Sequence, residues 1–368
     1  MKFKKWLSML LAVFMMLANL GNVAYAASSE PTNESSLLSY VSTSEMDNYA
    51  NQIFVKHLSA AIHSGSLENF GLSSNSIADY NLGTSFSVTD IDTQQNTYFY
   101  PVLCNGNVDG LLQVMYSNNE YSSSLGDSFS DELMGLMMRT NGYTYQLYSD
   151  GNNLYAHNGT TVYEIYQIYN DGNTAANLEI PTSYRMSQIK EITVQDLTTS
   201  NVARSSGAST FASSPSSYKT IDVTGVSQGS HPWCWAATCA ALINYYEGES
   251  LTASDVANYV FPDDPEQGGV WTDMQSAYNH WGLYPTQTGR ISFSSVKSNI
   301  NDYLPMHLGL TGHSVGLIGY EDWGLFGDNI LIILEPNGGV RKTVTLKSNG
   351  NFDYYLSGTN SWNYTREL

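Results

Sequence analysis

The chain has 368 residues, with 34 acidic side chains against 15 basic ones and a formal net charge of −19. That field repels polyanions and argues against nucleic acid as a partner, and the length suggests two domains, each able to bury a core. Three cysteines, Cys104, Cys234 and Cys239, are too few and too odd in number for a disulfide-stapled exported domain, and they leave room for a reactive thiol.

The N-terminus reads as a secretory signal peptide over residues 1–26. Lys2, Lys4 and Lys5 form a positive start, an apolar run follows from Trp6 to about Leu20, and Ala24-Tyr25-Ala26 gives a small-x-small cleavage site. The apolar run is too short to span a bilayer, no later stretch is long enough, and no stable membrane anchor is expected. The protein is therefore expected to be secreted, with a mature chain starting near Ala27.

Residues 27–200 read as one α+β module. Apolar residues at helical spacing (Met46, Tyr49, Ile53, Phe54, Leu58, Ala61, Ile62) predict an amphipathic helix over Glu45–Ser64, with His57 and His63 on its surface. Strands are expected at Phe86–Ile91, Thr97–Leu103, Gly110–Tyr116, Tyr143–Ser149, Asn153–His157 and Thr161–Tyr169. A short helix is expected over Ser130–Met138, forming with these strands a twisted antiparallel sheet with helices. This part offers no nucleophile–base pair; Cys104 and His157 read as structural. Residues 201–219 are rich in Ser, Thr and Ala with little to bury, the composition of an exposed, cuttable linker, with candidate cuts at Arg204 and around Ser213–Tyr218.

Residues 220–368 read as helices first (Cys234–Tyr246, Ala253–Tyr259, Val270–His280) and strands second (Ser314–Tyr320, Ile330–Glu335, Val340–Leu346), again an α+β order. The chemistry concentrates here. Pro232 suits a helix start, so Cys234 falls in a first turn. There the free N–H groups and the helix dipole favour an anion, and the thiolate is the nucleophilic form. Gln228 stands in the loop before it, where its amide and the Cys234 N–H can hold an oxyanion. His313, after Gly312 and before a strand-like apolar run, supplies a base at the mouth of a strand. The base needs a partner for its other ring nitrogen, and Glu335 and Asn337, after the following strand, are both candidates. Cys239 is turned away from Cys234 and reads as core; His231 is a candidate for the cleft wall, and His280 and His307 read as structural or surface residues. No cluster has metal-ligand spacing and no phosphate-binding glycine loop appears, so no cofactor is expected.

The order Gln228…Cys234-Trp235-Ala236-Ala237, then Gly312-His313-Ser314-Val315, then a polar residue after the next strand resembles the papain-like cysteine peptidase superfamily over about residues 220–345. The nearest branches are bacterial: C39-like, staphopain-like and secreted avirulence-type proteases. The resemblance implies a papain-like fold, in which a helix carrying Cys234 packs on a small antiparallel sheet carrying His313. It also implies peptide-bond hydrolysis through a thioester acyl-enzyme with protein or peptide substrates. Many C39-like members have Asp-Pro where this chain has Glu335-Pro336, and papain and the staphopains use Asn there, so Glu335 is the aligned third residue with Asn337 beside it. Secreted enzymes of this kind are often made as zymogens, which by position makes residues 27–200 an inhibitory propeptide domain. Two other readings are a transglutaminase-like acyl transferase, which lacks this Gln and Cys-Trp-Ala-Ala pattern, and an inactive secreted surface-binding module, which has no chemical need for Gln228, Cys234 and His313 together.

Overall fold

A computed structural model of the chain describes residues 34–127, 129–139, 141–167, 189–200, 214–324, 327–353 and 361–368. The expected signal peptide and the candidate cut at Arg204 lie outside the described residues.

The first part runs β1 (Ser36–Tyr40), α1 (Ser44–His63), β2 (Tyr80–Leu82), β3 (Phe86–Asp90), β4 (Asn96–Cys104), β5 (Asn107–Ser117), β6 (Glu120–Gly126), α2 (Ser130–Met137), β7 (Thr144–Ser149), β8 (Asn153–His157), β9 (Val162–Gln167), β10 (Ile189–Ile192) and α3 (Val194–Thr198). The second runs β11 (Ser217–Thr220), α4 (Cys234–Glu247), α5 (Ala253–Val260), α6 (Trp271–His280), β12 (Thr286–Gly289), α7 (Phe293–Asn301), β13 (Met306–Leu310), β14 (His313–Asp322), β15 (Asn329–Glu335), β16 (Val340–Leu346) and β17 (Trp362–Glu367). The architecture is mixed α and β around a large curled sheet, with 17 strands among the described residues.

β14 is the axis of the C-terminal half. It pairs with β13 along its first residues, with β11 along its last, and with β15 on its other side, all antiparallel. β15 pairs with β16, and β16 then pairs with β6 through Thr343↔Leu125 and Val344↔Ser124. The sheet thus runs on into β5, β4, β3, β7, β8 and β9. The N-terminal part is not wholly antiparallel as expected: β7 runs parallel to both β1 and β3, because the chain crosses over between them instead of turning back as a hairpin.

Burial explains the helices. Thr43 caps α1, its side chain accepting from the Met46 N–H, and Met46, Ala50, Ile53, Phe54, Leu58 and Ala61 form the buried face. That face packs on β15 and β16. α4 is buried continuously from Trp235 to Ile243, as a helix enclosed on all sides must be, and it packs against β13 and β14. One apolar core contains residues of α1, β4, β5, α4 and β13–β16; a second, around Phe86, Phe99, Phe129, Leu133 and Leu147, belongs to the N-terminal part.

Two expectations change. His57 is not on the surface: it is fully buried, its ring nitrogens 2.7 Å from Thr343 Oγ1 and 2.8 Å from Ser123 Oγ, and burial followed by nearby Lys56 pushes it down to about 3. It is a neutral hydrogen-bonding bridge between α1, β6 and β16. The stretch 201–219, read as linker, ends in β11, where Ser217–Thr220 pair with β14 and the Tyr218 ring stacks on His63 at 4.0 Å. A backbone held in a ladder resists proteolysis, so Ser217 and Tyr218 are poor cut positions.

Candidate active site

Three chain segments meet at one end of the C-terminal sheet. Cys234 is the first residue of α4 and is half-buried; the preceding Trp233 makes no side-chain capping bond. His313 opens β14 directly after a tight turn at Thr311-Gly312, where Gly312 takes a φ of 73° that a side chain would resist. Glu335 ends β15, and the antiparallel β14–β15 pairing brings that end beside the start of β14.

The Glu335 carboxylate lies 3.1 Å from His313 Nε2, and both side chains are almost fully buried. The Cys234 side chain lies near enough to the same imidazole to act on it electrostatically. Burial alone would push His313 down, but Glu335 and then Cys234 outweigh it and carry the imidazole up to about 10. Burial likewise opposes charge on Glu335, yet His313, Lys342 and the Asn337 N–H hold its carboxyl below the ordinary value. Each partner thus favours the charged form of the other within a buried site.

The two candidates for the third position are used differently. Asn337 donates its backbone N–H to Glu335 Oε1 at 2.8 Å, while its side-chain amide turns away and donates to Tyr166 Oη at 2.5 Å. Tyr166 belongs to β9, and nothing in its sequence surroundings marked it as a neighbour of this corner. Lys342 on β16, buried and facing Glu335, was also missed. The signal available for it was only its place opposite β15 in the hairpin register.

Gln228 is buried in the loop before α4. Its backbone N–H donates to the Pro336 carbonyl at 2.8 Å, which ties the loop to the Glu335 corner, and its side-chain Nε2 donates to the His231 carbonyl at 3.2 Å. His231 is stacked on Trp233 with ring centres 4.0 Å apart and paired with the Glu266 carboxylate at 2.9 Å. The indoles flanking Cys234 anchor the loop opposite: Trp233 Nε1 donates to the Pro265 carbonyl at 2.6 Å and Trp235 Nε1 to the Gln267 carbonyl at 3.1 Å. Gly269 lies flat on the Trp235 ring, where a Cβ would come within 2.4 Å of it. A cavity of about 430 Å³ lies elsewhere, lined by Val55, Ser59, His63, Ile77, Pro215 and Trp323, and touches none of these groups.

All three cysteines are free, and Cys104 and Cys239 are buried as expected. Cys239 sits in a closed cluster, 4.0 Å from His307 Nδ1, which also meets Tyr278 Oη at 2.9 Å; burial pushes the Cys239 thiol up to about 12. His307 is therefore an interior residue. Limiting iodoacetamide on the folded chain should label Cys234 and leave Cys104 and Cys239 unmodified, read by peptide mass mapping.

Residues 217–351 match the family described as papain-like cysteine protease AvrRpt2. No curated protein matches the chain. Among solved structures, the crystal structure of UfSP from C. elegans is similar at 12% sequence identity, covering 91% of this chain and 76% of that one, with a TM-score of 0.29, too low to bear on the fold. The matched family segment contains Gln228, Cys234, His313, Glu335 and Asn337, and its chemistry is that of a cysteine peptidase.

Proposed function

We propose that this chain, a cysteine peptidase with a papain-like domain over residues 217–351, is exported as a precursor and hydrolyses peptide bonds through a thioester on Cys234. The observation that carries the proposal is the buried His313–Glu335 pair, 3.1 Å apart, with the Cys234 side chain near enough to act on the imidazole. Such a pair keeps the imidazole protonated and so stabilises a thiolate beside it.

In the proposed reaction the Cys234 sulfur attacks the peptide carbonyl, forming a C–S bond and an oxyanion. The Gln228 side-chain amide and the Cys234 N–H hold that oxygen. The C–N bond then breaks as His313 gives its proton to the leaving amine. Water next attacks the thioester, losing a proton to His313; the C–S bond breaks, the acid product leaves and the thiolate–imidazolium pair is restored. Glu335 orients His313 and stabilises its charge throughout, and the Asn337 N–H holds the Glu335 carboxylate. The steps use these side chains and water alone.

Residues 1–26 serve as the signal peptide and residues 27–200 restrain the precursor until a cut upstream of β11. Substrates are proteins or peptides, and the acidic chain is no partner for nucleic acid. The test is hydrolysis of a peptide library by the purified chain under reducing conditions. Gln228→Ala should lower kcat by about 10²–10³-fold with little change in KM, the loss of one oxyanion donor. An unchanged kcat in that variant would remove Gln228 from the mechanism.

A further inference from the structure

Zymogen logic asks how the N-terminal part leaves, but the seam between residues 34–200 and 217–368 is built as a protein interior. β6 closes the edge of β16, and α1 lays its apolar face over β15 and β16 in a core common to both parts. Buried polar groups cross the same seam in complementary pairs. His57 bridges Thr343 and Ser123, the Ser123 N–H donates to Thr345 Oγ1 at 2.7 Å, and Ser122 donates to Asp353 at 2.7 Å. Ser59 donates to the buried Glu321 at 3.1 Å, which also pairs with His63 at 2.6 Å. Separation would bare an edge strand, an apolar sheet face and several orphaned polar groups together. At the catalytic end, Tyr166 of the N-terminal part takes the Asn337 amide, and Asn337 in turn holds the Glu335 carboxylate.

We infer that the N-terminal module stays bound to the peptidase domain after the chain between them is cut, and that it supplies Tyr166 as a positioning residue for the Glu335–His313 pair. Activation is then cleavage without shedding, and the working enzyme is a two-chain complex. The Tyr166 half rests on the catalytic reading proposed above; the retention half does not.

Two experiments test it. First, a sequence-specific protease site is placed within residues 201–213 of the full chain carrying Cys234→Ala, so that no self-cleavage intervenes. After cutting, both fragments should co-elute at the uncut volume in size exclusion and appear as one complex by native mass. Separate elution of the N-terminal fragment, here or after limited digestion of the uninserted chain with a general protease, would overturn retention. Second, the active enzyme is compared with Tyr166→Phe, which keeps the ring and removes the hydroxyl. Loss of one hydrogen bond at the corner should lower kcat about 5-fold. It should also move the alkaline limb of the pH–rate profile to lower pH, since His313 faces Glu335 and Cys234, with His307 further off, and Glu335 faces Lys342. A profile superimposable on wild type would overturn the positioning role. If wild type and Cys234→Ala are equally silent, the catalytic reading fails and the Tyr166 role with it, while the elution result stands alone.

Discussion

Cys234→Ala is expected to abolish peptide hydrolysis, by about 10⁶-fold in kcat, the scale on which an enzyme loses its nucleophile. The substitution is small and lies at a half-buried helix start outside the packed run Trp235–Ile243, so the fold should persist. Circular dichroism and the thermal midpoint of the variant should match wild type while turnover disappears. Cys239→Ala provides the contrast. Cys239 is closed off in the core beside His307 and Tyr278, so its loss should cost stability and leave the chemistry in place.

Glu335→Gln should reduce kcat by about 10²–10⁴-fold while leaving substrate binding nearly unchanged. A glutamine fits the same space but removes the charge that carries His313 up to about 10 against its burial. The imidazole then deprotonates at lower pH, and the alkaline limb of the pH–rate profile should move down with it. Stability should follow the same linkage. His313 has a raised value in the fold, so its contribution is complete below about pH 6.5 and is lost as the pH rises through its folded value. Glu335 is lowered, so its contribution is present above its ordinary value and is lost as the pH falls through the folded one. In Glu335→Gln both contributions vanish, and breaking a buried pair on one side costs about 3–5 kcal/mol, read from urea denaturation near neutral pH. Because Glu335 and His313 are coupled, the measured midpoints belong to the pair.

The catalytic half was legible because its chemistry obeys local rules. Pro232 and the alanine-rich run fix the start of α4 at Cys234, and the apolar runs of β14 and β15 fix their ends, where His313 and Glu335 stand. Alignment favoured Glu335 over Asn337, and it is the Glu335 carboxylate that meets His313. The Tyr166 hydroxyl that takes the Asn337 amide lies 171 positions away in sequence and could not be read from it. β6 was not among the expected strands: Ser122, Ser123 and Ser124 give it no apolar alternation, and their hydroxyls are buried against Asp353, His57, Thr345 and Gln113. The same long-range pairing misled the reading of His57, whose partner on β16 lies 286 residues away. β12 and β17 are short, mostly polar strands whose alternation is too weak to announce them, and each finds its partner in the other at long sequence range. Local periodicity carries no information about such distant partners, and the seam between the two halves is made of them.

The most direct test of the central claim is turnover of a peptide library titrated against alkylation of Cys234, with the labelled fraction counted by mass. The account predicts that activity falls in proportion to labelled Cys234 and reaches zero at one label per chain, as in Cys234→Ala. Turnover that survives complete labelling, or a reduced chain that hydrolyses nothing and whose Cys234 resists alkylation, would contradict it.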